Sequence, residues 1–176
     1  MAESDGLSEV RVPNSFETLY RQNYSGVVAL VYGLSGSRAV AEDLAQEAFL
    51  RAHRNWMRVS EMDHPAGWVR RVALNLARSR LRRLRSETMA RLRIGPESEA
   101  SVLVSDLESE AFWREVRRLP SRQAQAIALH YIEDLSVSEV AGILGVAEGT
   151  VKALLHQGRE RLRRELRAKG LIDREV

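Results

Sequence analysis

Apolar residues in the first half of the chain recur at the three-to-four-residue spacing of helices that bury one face. Phe16, Leu19, Tyr20, Tyr24, Val27, Val28 and Val31 mark the first such stripe. Asn14 or Ser15 stands where an N-cap is needed, and Glu17 lies in the first turn. Gly33 and Gly36 interrupt the pattern. Ser37 can cap a second helix, roughly 38–55, with Val40, Leu44, Ala48, Phe49 and Ala52 on its apolar side. Between Met57 and Pro65 no periodicity survives, which predicts a loop. From His64-Pro65 a third stripe begins, through Trp68, Val69, Val72, Ala73, Leu76 and Leu81, and it predicts a helix to about Arg85 or as far as Arg93. Trp56 and Trp68 stand at apolar spacing and are read as core.

Gly95 and Pro96 end this half. Residues 95–110, GPESEASVLVSDLESE, hold five acidic residues and no basic one, directly after an Arg-rich stretch. Such a shift, with Gly, Pro and Ser, predicts a linker. Helical spacing resumes at Leu107, Phe112, Val116 and Leu119, and Pro120 opens a helix carrying Ala124, Ile127, Ala128, Leu129 and Tyr131. Residues 137–156, VSEVAGILGVAEGTVKALLH, then place Ala141 four residues before Gly145, with Val140, Leu144, Val146, Val151 and Leu154 apolar. This is the pattern of a helix-turn-helix. Ala141 is small enough for two steeply crossed helices to touch, and Gly145 accepts a left-handed turn cheaply. No strand signal and no repeat is evident. The expected fold is all-α, with two small helical domains joined by a flexible acidic linker. Its parts are a tail (1–13), a first domain (14–93), the linker (94–110), a second domain (111–170) and a short C-terminal tail (171–176).

Composition narrows the chemistry. The 176 residues carry a net charge of +3, and aromatics make up only 6%. The chain has no cysteine, which removes disulfides, thiol catalysis and cysteine-ligated zinc and suits a reducing cytoplasm. The start, MAESDGLSEVRVP, is too polar for a signal peptide, and the apolar run from Gly26 to Leu34 is too short to span a bilayer. A soluble cytoplasmic protein without membrane insertion is expected. His53, His64, His130 and His156 do not pair at metal-ligand spacing, and HExxH, GxxxxGK[ST] and GxSxG are all missing. Neither an enzyme nor a cofactor or metal site is therefore expected.

Charge placement says more than net charge. The second helix of the helix-turn-helix, roughly 147–166, carries Lys152, His156, Gln157, Arg159, Arg161, Arg163 and Arg164 off its apolar stripe, as a helix in a DNA major groove requires. Arg70, Arg71, Arg78, Arg80, Arg82, Arg83 and Arg85 crowd another helix with no acid among them. Like charges three and four apart repel, a cost that an anionic partner such as nucleic acid relieves. Asn75 lies among them, and its amide offers a donor and an acceptor to a base edge. On the helix at 38–55, Glu42, Asp43, Gln46 and Glu47 form an acidic and amide ridge ending in Arg51 and Arg54.

Three stretches in this order resemble the bacterial sigma factors of the extracytoplasmic-function group, which keep only the second and fourth sigma domains. They are AEDLAQEAFLRAHRNW (41–56), HPAGWVRRVALNLARSRLRR (64–83) and LPSRQAQAIALHYIEDLSVSEVAGILGVAEGTVKALLHQGRERLRREL (119–166). The resemblance covers about residues 14–168. It implies a subunit that binds RNA polymerase core and directs promoter recognition, strand opening and initiation. It implies that Asp43, Gln46, Glu47 and Arg51 dock on the polymerase clamp. It implies that Arg70, Arg71, Asn75, Arg78 and Arg82, with the loop 57–66, melt and hold the minus-ten element. Thr150, Lys152, Ala153, His156, Gln157 and Arg159 would read the minus-thirty-five element, and the acidic linker would thread the RNA channel. Core polymerase, promoter DNA and an anti-sigma factor are the implied partners. This chain departs from the family at Ala147, which gives no N-cap, and at Ala153, Leu154 and Gln157, where Ser, Arg and Arg are frequent. The rival reading is a conventional helix-turn-helix regulator binding an operator as a dimer, which leaves the Arg-rich helix and the acidic linker unexplained.

Overall fold

The computed structural model describes residues 15–91 and 107–172. Among these residues, helices follow one another in the order α1 (Phe16–Ser35), α2 (Arg38–Arg54), α3 (Trp56–Ser60), α4 (Pro65–Arg91), α5 (Leu107–Val116), α6 (Ser121–Ile132), α7 (Val137–Leu144) and α8 (Glu148–Ala168). The all-α expectation agrees with this architecture. The N-terminal tail 1–13 and most of the acidic linker lie outside the described residues, and α5 begins at Leu107, inside the segment expected to be linker.

The caps fall where the sequence places them. Ser15 accepts a hydrogen bond from the Thr18 amide at 3.2 Å, and Ser37 accepts one from Val40 at 3.4 Å. Gly36 ends α1 with φ 70°. Gly33, expected to interrupt α1, lies inside it. A glycine inside a helix costs about 1 kcal/mol relative to alanine. Its reason is tertiary, because a Cβ there would stand 2.6 Å from Ile132 Cδ1. A second difference is α3, in the stretch expected to be loop, where Val59 is fully buried and anchors the turn. Pro120 occupies the N-cap position of α6 rather than its first turn.

The first four helices enclose a core of Leu19, Val27, Val31, Ala45, Ala48, Phe49, Val69 and Ala73. Phe16, Tyr20, Tyr24 and Trp56 pack at its edge, with Phe49 edge-on to Tyr20 at 5.0 Å between centroids. Trp56 and Trp68 are partly buried against this core, as expected. The second core gathers Val116, Ile127, Leu129, Val140, Leu144, Val151, Leu155 and Leu162 from α5 to α8. Leu30, Leu34 and Leu74 of the first half belong to that same cluster. The two halves are therefore packed together in this structure, an arrangement the sequence reading of two domains on a flexible linker left open.

Candidate polymerase and nucleic-acid interface

The helix-turn-helix is built by local signals. Ser136 and Glu139 form a capping box at the start of α7: Ser136 Oγ accepts from the Glu139 amide at 3.3 Å, and Glu139 Oε2 accepts from the Ser136 amide at 2.8 Å. These bonds to Ser136 hold the Glu139 carboxyl below its ordinary range, the side-chain hydroxyl contributing most. Gly145 closes α7 with φ 67°, and the amides of Gly145 and Val146 both donate to the Ala141 carbonyl. Ala141 is buried at the crossing, as expected. Ala147 caps α8 without a side-chain hydrogen bond.

α8 divides its residues cleanly. Val151, Leu155, Gly158, Leu162 and Leu166 are buried, while Thr150, Lys152, Ala153, His156, Gln157 and Arg159 are exposed. The six positions expected to read the upstream element thus share the free side of one helix. Arg159 is propped in place, its Nε donating to Tyr131 Oη at 2.8 Å with the guanidinium 5.7 Å from that ring's centre.

On α2, Asp43, Gln46 and Arg51 are exposed and Glu47 is half-buried, paired with Arg51 at 2.7 Å. Leu50 lies in the middle of this ridge and is 49% exposed. The sequence reading passed over Leu50, although an apolar side chain between Gln46 and Arg54 at helical spacing was the available signal.

The five α4 residues separate into two groups. Asn75, Arg78 and Arg82 are exposed, and neither arginine has an ion pair to a described residue. Arg70 and Arg71 instead face the second half. Arg70 Nη2 and Nε donate to Glu133 Oε2 at 2.6 and 3.1 Å, and both side chains are largely buried, 12% and 6% exposed. Arg71 donates to the carbonyls of Ile143, at 2.7 Å, and Gly142. Carbonyls at a helix end lack partners within the helix, so Arg71 satisfies the end of α7 from the other half, while Arg122 reaches Leu144 at 3.2 Å. Gly26 makes room for the ion pair, since a Cβ there would meet Glu133 Oε1 at 2.9 Å. Glu133 and Gly26 were missed by the sequence reading. A cleft of about 670 Å³ lies beside this contact, lined by Asp63, His64 and Trp68 on one side and Ser138, Glu139 and Gly142 on the other. Among the described residues no helix is long and apolar enough to cross a membrane, and no cluster of three metal-ligating side chains is present.

Two family models match this chain: Sigma-70 region 2 over residues 19–87 and Sigma-70 region 4 over residues 109–162. The sequence is 31% identical to the ECF RNA polymerase sigma factor SigW of Bacillus subtilis, over 80% of this chain and 83% of that one.

The chain belongs to the ECF sigma factors.

This sigma factor is also 31% identical to SigM of Mycobacterium tuberculosis, covering 86% of this chain and 77% of that protein. Its fold is similar to that of the sigma factor RpoE in its co-crystal with the anti-sigma factor NepR from Bartonella quintana, with a TM-score of 0.72, 24% identity, and coverage of 90% and 98% of the two chains. CnrH, solved in complex with the cytosolic domain of CnrY, is similar with a TM-score of 0.61 at 22% identity, covering 87% and 88%. The factor is a transcription initiation subunit that directs RNA polymerase to promoters. Because both sigma regions are matched in order, the rival reading as a conventional dimeric regulator is not supported.

Proposed function

We propose a division of labour between the two halves of this sigma factor. In the first domain, residues 14–93, the α2 ridge of Asp43, Gln46, Glu47 and Arg51 docks on the polymerase clamp. On α4 of the same domain, Arg70, Arg71, Asn75, Arg78 and Arg82 open and hold the minus-ten element. In the second, residues 111–170, Thr150, Lys152, Ala153, His156, Gln157 and Arg159 of α8 read the minus-thirty-five element. The acidic stretch between them threads the RNA channel. The factor performs no covalent chemistry, needs no cofactor, and works in the cytoplasm beside polymerase and DNA. An anti-sigma factor is its third partner, a reading supported by the RpoE and CnrH complexes.

The observation that carries this reading is the sorting of α8. Its buried residues pack against α5, α6 and α7, which leaves Lys152 and His156, four apart, on one free basic face. Strand opening is tested at Asn75, an exposed amide among arginines that serves best for reading a base rather than a phosphate. Asn75→Ala holoenzyme should assemble and bind duplex promoter normally but show less permanganate-reactive thymine near the start site. A pre-melted bubble should restore much of the activity, because the unstacking cost is then already met. Wild-type opening by the mutant on duplex DNA would remove Asn75 from the melting machinery.

A further inference from the structure

Gln123 is the third residue of α6 and is only 6% exposed, among Ala124, Ala126 and Ile127. An apolar side chain would fill such a place without leaving polar atoms to satisfy. Gln123 leaves one unsatisfied: its Oε1 is buried without a partner among the described residues. Among the described residues, its one side-chain hydrogen bond runs from Nε2 to Oε1 of Gln157, at 3.1 Å. Gly158 makes that reach possible. A Cβ at 158 would stand 3.2 Å from Ile127 Cγ1 and 3.7 Å from Gln123 Cβ, so the glycine lets α6 lie close against α8 and brings Gln123 over the helix to its exposed neighbour.

We infer that Gln123 is a positioning residue that sets which base Gln157 reads, without touching DNA itself. The inference rests on α8 being the upstream reader. The Gln157 acceptor is engaged by Gln123, while its Nε2 has no partner among the described residues and keeps both N–H groups for the groove. A free glutamine pairs with adenine by donating to N7 while accepting from the N6 amino group. The bond from Gln123 takes one of the two lone pairs on the Gln157 oxygen and fixes the plane of its amide, which favours presentation of its two N–H groups. The edge that suits them is guanine, whose N7 and O6 are both acceptors. Gln157 in this factor is therefore tuned to guanine over adenine by a buried residue on another helix.

The test is selection of upstream sequences from a randomised promoter library by full-length factor reconstituted with core polymerase. Wild type should select guanine at the base pair facing Gln157. Gln123→Met removes the donor at similar volume and should shift that single position toward adenine, within the roughly 5- to 150-fold range that one base-edge contact supports. The double variant Gln123→Met/Gln157→Ala should match Gln157→Ala alone, because Gln123 acts only through Gln157. Gln157→Glu, at an exposed position that folding does not need, keeps the bond from Gln123 but offers no N–H. It should lose the guanine preference even if Gln123→Met proves unstable. An unchanged profile in Gln123→Met, or a loss spread evenly over all sequences, would show that Gln123 only joins two helices. A wild-type profile in Gln157→Glu would overturn the inference as well. Absence of any upstream preference in the wild-type holoenzyme would instead refute the role given to α8.

Discussion

Ser136 and Glu139 show how two side chains start the helix-turn-helix. Each satisfies a backbone amide of the other, and Ser136 Oγ also donates to Glu139 Oε2 at 2.7 Å. Ser136→Ala should lower stability by about 1 kcal/mol, measured by urea unfolding of the full chain. The pH dependence follows from the depressed carboxyl of Glu139. A carboxylate with a lowered folded-state pKa contributes stability that is complete above its ordinary range, and loses it as pH falls through the folded value. Wild type should therefore lose melting temperature between about pH 5 and the acid limit, and Glu139→Gln should lose less over that window. Equal slopes in the two proteins would remove Glu139 from the acid response. Glu115 works in the same direction elsewhere, held low first by its bond from Lys169 of the α8 C-cap and also by Arg118.

At the scale of the element, α2 and α8 solve one problem in different ways. Each buries one face and leaves a chemically distinct face free. On α2 the buried side is largely alanine (Ala41, Ala45, Ala48 and Ala52), so its neighbours approach closely and the ridge is carried on a rigid support. Asp43→Arg with Glu47→Arg should leave helical content intact, since neither side chain is in the core. It breaks the Glu47–Arg51 pair, which is half exposed and adds only a few tenths of a kcal/mol. Association with core polymerase, followed by fluorescence titration, should weaken at least tenfold. Undiminished affinity would place the polymerase contact elsewhere, and Leu50 would not then mark its centre.

At the scale of the whole molecule, the packing of the two halves is the main feature. Leu30, Leu34 and Leu74 join the second core, Gly33 admits Ile132 and Trp113, and Arg117 reaches the Gly33 carbonyl at 3.3 Å while pairing with Glu110. Among the described residues, the Arg70–Glu133 pair is the one ion pair across this contact, and both side chains are largely buried. Removing one partner of a buried pair leaves an uncompensated charge, at a cost of roughly 3–5 kcal/mol. Glu133→Ala should therefore separate the halves before either unfolds. Distance between fluorophores on α2 and α8 should increase in the variant, while far-ultraviolet dichroism stays constant. An unchanged distance would show that the apolar contacts of Leu30, Leu34 and Leu74 suffice. In this arrangement Arg70 and Arg71 are engaged by Glu133 and by the end of α7, whereas Asn75, Arg78 and Arg82 are exposed and have no side-chain partner among the described residues.

Helix positions, most caps, the turn at Gly145 and the free face of α8 were legible in the sequence, because each depends on residues within a few positions of one another. Periodicity at three and four residues reports which side of a helix is buried, and Ser15, Ser37 and Gly36 act within one turn. The short helix α3 escaped because five residues carry too little periodicity, and its anchor, Val59, is defined only by what covers it. Gly33 read as an interruption of a helix, and Gly26 carried no signal, until Ile132, Trp113 and Glu133 were seen against them. The partners of Arg70, Arg71 and Gln123 were likewise decided by tertiary structure. Arg70 pairs with a residue 63 positions away and Gln123 with one 34 away, and no spacing rule along a single helix encodes such a meeting. The sequence by itself determined the elements and the chemistry of their exposed faces, since local sterics and burial periodicity act along the chain. Which of those charges stay free and which are spent between the halves was settled only by packing.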